Sequence, residues 1–145
     1  VVKTPYHLNK NRSRLTPSAF QPPRDSERGE LSVIRWQYTF TDPQALKAKV
    51  VEIGGEAYAG VAHLPCQKVR QAPADIEDSR HWFQGHADII LGVEIPLQEP
   101  AEGEEGTRLK EVRKALSDAA TYLADPEPKS PDWTIAELDP PPANG

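Results

Sequence analysis

Apolar and polar positions alternate most cleanly over residues 86–95. Ala87, Ile89, Leu91, Val93 and Ile95 fall on one face, and His86, Asp88, Ile90, Gly92 and Glu94 on the other. A period of two predicts a strand with one face on the core. Pro96 and Pro100 end it. Residues 31–40 show the same period, with Ile34, Trp36, Tyr38 and Phe40 on one side, which predicts a second strand.

The period then lengthens. Thr41 or Asp42 is placed to cap a helix, Pro43 suits its first position, and Leu46 and Val50 carry it to about Ile53. Gly54 and Gly55 supply the stop. Residues 56–64 and 66–70 are expected as short strands interrupted by Pro65, and 71–79 as a loop. An acidic loop over 98–106 leads to a second helix, capped by Thr107 and running to about Ala124. Its apolar stripe is Leu109, Val112, Leu116, Ala119 and Leu123, spaced three and four residues apart. Thr16 and Pro17 predict a helical turn at 17–20.

These elements give an α+β fold, a small and mainly antiparallel sheet packed by two helices. The expected organisation is an irregular basic arm over 1–30, a body over 31–124, and a proline-rich acidic tail over 125–145 in which Trp133, Ile135 and Leu138 are the anchors.

Composition sharpens that division. Only 30 of 145 residues are Leu, Ile, Val or Phe, close to the floor for a packed core. Ten of the 15 prolines fall outside 31–124. The net charge of −5 divides as +3 over 1–30, −2 over 31–96 and −6 over 97–145. Oppositely charged ends of this kind suit contact with partners. No apolar run reaches membrane length and no apolar leader opens the chain, so a soluble, cytoplasmic protein is expected. The single cysteine excludes an internal disulfide framework.

Three constellations carry candidate chemistry. His63 and Cys66, followed by His81 and His86, have a spacing reminiscent of zinc ligands. His86 and Asp88 share a strand face, so a base and its orienting acid project together, with His81 joining from the preceding turn. Arg12 and Arg14 lie in a basic stretch suited to an acidic protein surface or to a phosphate backbone. Trp82, Phe83 and Trp133 are candidate contact residues, because large aromatics anchor interfaces. Cys66 could serve as a nucleophile only with a nearby base and an electropositive setting, and His63 is the sole candidate base close in sequence. There is no nucleophile elbow and no phosphate-binding glycine loop.

The leading expectation is a small non-enzymatic accessory protein, a subunit of a larger assembly that works through protein–protein contact, with no cofactor. The alternatives are a small hydrolase or transferase acting on a nucleotide or nucleic acid through His86 and Asp88, and a metal-stabilised binding module.

Overall fold

A computed structural model describes residues 1–4, 6–35, 42–79 and 85–138. The fold is α+β, with two three-stranded antiparallel sheets rather than one. In chain order the elements are β1 (Val2–Lys3), β2 (Glu30–Ile34), α1 (Pro43–Gly54), β3 (Tyr58–His63), α2 (Cys66–Gln71), β4 (Asp75–Asp78), β5 (His86–Ile90), α3 (Gly103–Ala119) and β6 (Thr121–Ala124). The first sheet runs β1-β3-β6 and the second β2-β5-β4. The expected Trp36–Tyr38–Phe40 end of the second strand lies outside the described residues.

The best sequence pattern sits at the centre of the second sheet. Leu31, Ile89 and Ile76 form one cross-strand row. The face of Ala87, Ile89, Leu91, Val93 and Ile95 is buried, and Ile89, Leu91, Val93 and Ile95 share the core with Leu109, Val112 and Leu116 of α3. The ladder itself stops at Ile90. Residues 91–95 keep the alternation but pair irregularly, through Leu91 N–H to Gly29 O and Ile95 N–H to Ser26 O.

α1 forms as its ends direct. Asp42 accepts from the Ala45 N–H at 3.2 Å, Pro43 occupies the first turn, and Gly55 closes the helix in a left-handed conformation (φ 58°) with its N–H on Val51 O. The 3₁₀ turn Pro17–Phe20 also forms, and Phe20 enters the core.

Four expectations are corrected. Residues 66–71 form helix α2 instead of a strand, because Pro65 stands at the helix start and Val69 alone is buried. Residues 75–78 are the edge strand β4 instead of loop. α3 begins at Gly103, and Thr107 lies inside it with its hydroxyl on Gly103 O. The stripe residue Leu123 belongs to β6, since the helix ends at Ala119 ahead of the β-forming pair Thr121 and Tyr122.

The chain ends through residue 138 are packed onto the body. Val2 and Leu8 are buried, β1 pairs with β3, and Ile135 is buried. No helix among the described residues is long and apolar enough to cross a membrane.

Candidate functional site

The strand pairing in the second sheet brings His86 beside two residues. Its Nε2 lies 3.8 Å from Asp88 Oδ1 on the same face. Its Nδ1 lies 2.7 Å from Ser79 Oγ and 3.2 Å from the Ser79 carbonyl oxygen. Ser79 carried no signal in the sequence: it is a short polar residue at a strand end, and only the β4–β5 register places it opposite His86. A hydroxyl, an imidazole and a carboxylate in sequence have the elements of nucleophilic catalysis. Here the hydroxyl and the imidazole are enclosed, with Ser79 4% and His86 5% exposed, and neither borders the surface concavities described below. The contacts satisfy a buried imidazole. His81, the third member expected of this group, lies outside the described residues.

The proposed metal ligands are dispersed over different elements. His63 closes β3 opposite Thr121, Cys66 is exposed at the first turn of α2, and His86 is buried on β5. No three His, Cys, Asp or Glu side chains gather into a metal site among the described residues.

The basic stretch is built into an ordered hairpin. Leu8 and Leu15 form an antiparallel bridge, with Thr16 N–H on His7 O and Asn9 N–H on Arg14 O. Asn9 organises the tip, its Oδ1 accepting from the N–H groups of Ser13 (2.9 Å) and Arg14 (3.2 Å). Such side-chain-to-backbone bonds define a turn where the apolar pattern gives none. Arg12 adopts a left-handed conformation (φ 53°). Lys10, Arg12 and Arg14 are exposed, and no carboxylate of the described residues pairs with them. Tyr6, 74% exposed, sits at the base, where its carbonyl accepts the Thr16 hydroxyl.

No protein-family model matches the chain, and no curated protein or solved structure is detectably similar to it. The residues alone therefore carry the functional reading.

Trp133 is half-buried and packs against the body. Its ring lies 5.2 Å from Lys47 Nζ, a cation–π distance. Lys47 also donates to Asp125 Oδ2 at 2.7 Å and to the carbonyls of Glu127 and Asp132 at 3.2 Å. The Tyr58 hydroxyl donates to the same carboxylate at 2.7 Å. Burial alone would raise the Asp125 pKa. The donors Lys47, Tyr58 and Glu127 N–H outweigh it and hold the carboxyl below its ordinary value. Burial, then the Asp125 contact, pushes the Tyr58 phenol well above its ordinary value. Trp82 and Phe83 lie outside the described residues.

Concavities open at the surface among the described residues. A cleft of about 390 Å³ is lined by Arg70, Asp75 and Arg108 over Ala74 and Ile90. A larger groove, about 580 Å³, runs between the early turns of α3 and the segments 21–24 and 95–102. Arg24, Lys110 and Arg113 line this groove, as do Glu99 and Glu102. Burial draws the Arg113 guanidinium below its ordinary pKa.

Proposed function

We propose that the chain is a soluble, cytoplasmic accessory protein without catalysis of its own, which joins a larger assembly by docking on an acidic protein surface. The observation that supports this most is the hairpin tip. It presents Lys10, Arg12 and Arg14 in a geometry fixed by Asn9, with no internal counter-charge among the described residues and with exposed Tyr6 at its base. Elsewhere the protein does use its cations internally: Arg28 pairs with Glu30 and Glu77, and Lys47 with Asp125. A tyrosine beside arginines is also the residue set that dominates interface energetics.

The rival enzymatic reading draws on the Ser79–His86 contact. The enclosure of both residues weighs against it.

The test is a charge reversal, K10E/R12E/R14E, in tagged chain isolated from its native cells. The expected result is a defined protein partner retained by the unaltered chain and lost by the variant, with the fold unchanged by circular dichroism. A chain that runs alone at its own 16.1 kDa overturns the proposal. So does a partner that is nucleic acid, which would show the steep salt dependence of phosphate contacts. Turnover of a nucleotide by the purified protein that is abolished by H86A would replace it with the enzymatic reading.

A further inference from the structure

The groove beside α3 gathers three cations, Arg24, Lys110 and Arg113, alongside two acids, Glu99 and Glu102. Arg113 is half-buried, and its Nε donates to Pro17 O at 3.1 Å. Arg24 donates to the Glu99 carbonyl at 3.2 Å, across the groove mouth. Neither they nor Lys110 pair with a carboxylate among the described residues. A partly desolvated cation without an acid is costly, and a ligand carboxylate offsets that cost. Guanidinium forks suit carboxylates in particular, since they bind them in bidentate fashion.

The dimensions fit a strand of peptide. From Gly103 to Arg113 the groove follows α3 for ten residues, about 15 Å at the helical rise. That length matches about four or five extended residues. Ile95, Leu109 and Pro22 lie buried beneath it, and its accessible apolar lining is Pro100 and Ala101. The acids Glu99 and Glu102 line the groove where α3 begins, while Lys110 and Arg113 lie two to three turns further on.

We propose that this groove docks an extended acidic segment of a protein partner. The partner's carboxylates meet Arg113 and Lys110, and its apolar residues lie over Pro100 and Ala101. Glu99 and Glu102 exclude acidic residues from the other end and so set the direction of the segment. The inference rests on the interaction reading above and adds to it a second contact, separate from the hairpin tip.

The test is a titration followed by amide NMR shifts, using an acetylated, amidated hexapeptide of alternating Asp and Leu. A hexapeptide of alternating Lys and Leu is the control. The acidic peptide is expected to shift Ile95, Thr107, Lys110 and Arg113, and the basic one to leave them unmoved. K110E disturbs no internal bond of the described residues and is expected to weaken binding at least about fivefold. K110E/R113E is expected to weaken it beyond tenfold. Absence of groove shifts, shifts that survive both variants, or tighter binding of a single-stranded DNA oligonucleotide at the same amides overturns the inference. If these fail while K10E/R12E/R14E still abolishes the native complex, the groove proposal falls alone. If the complex is absent altogether, the interaction reading falls with it.

Discussion

Lys47 looks in the sequence like any solvated helix lysine, yet it is 1% exposed. Nothing local announces this. Its acid, Asp125, follows β6 at the far end of the chain, and the carbonyls of Glu127 and Asp132 that complete its shell come later still. The pairing is three-dimensional information, as is that of Ser79 with His86. A buried charge stripped of one partner is strongly destabilising, so K47A is expected to cost about 3–5 kcal/mol in urea unfolding. The pH dependence follows from the same contact. The folded Asp125 carboxyl titrates below its unfolded value, so its contribution is full above the unfolded value, near pH 4, and is lost as pH falls through the folded one. D125N should therefore flatten the acid limb of the stability curve, and an unchanged limb would remove Asp125 from this role.

Elements were legible wherever periodicity or end chemistry was strong. The alternation at 86–95, the Asp42–Pro43 start and Gly55 stop of α1, and the Leu109–Val112–Leu116 stripe all appear as read. The failures share a cause. β4 is an acidic edge strand with one apolar residue, Ile76, and it is defined by its pairing to β5. α2 is too short to show a period. Leu123 continues a helical spacing by coincidence beyond the end of the helix. In the first sheet, the closeness of β3 and β6 depends on Gly60. A Cβ there would stand 2.2 Å from the Leu123 carbonyl oxygen, a backbone atom that cannot yield without moving β6. G60A is accordingly expected to lower stability by about 1–3 kcal/mol, the range for overpacking. Thermal melting measures it, and a neutral result would mean that β6 shifts freely.

At the scale of the molecule, the low apolar content and abundant proline read as two loose arms around a small body. The structure spends those residues differently. Val2, Leu8 and Phe20 from the first thirty residues and Ile135 from the last segment are buried, so sparse apolar positions serve as anchors rather than as a face of their own. The sequence offered such residues as anchors, Ile135 among them, but not which of them would be buried, because single anchors leave no period. The basic stretch, by contrast, was visible as composition, and the structure adds the Asn9-centred turn that gives it a shape.

The two sheets also differ in when they become possible. The second draws its strands from residues 30–34, 75–78 and 86–90, and is complete once residue 90 has been synthesised. The first needs residues 2–3, 58–63 and 121–124, so its central strand waits for the last part of the chain. β2 and β5 are also distant in sequence, but β5 has a near partner in β4, whereas both strands that pair with β3 lie far from it in the chain, and such pairing closes slowly. Pulse-labelled hydrogen exchange during refolding is expected to protect β5 before β3, and simultaneous protection would contradict this. A nascent chain paused between residues 90 and 121 would hold one finished sheet beside a strand whose β6 edge has no mate, which is the template that edge-to-edge aggregation requires.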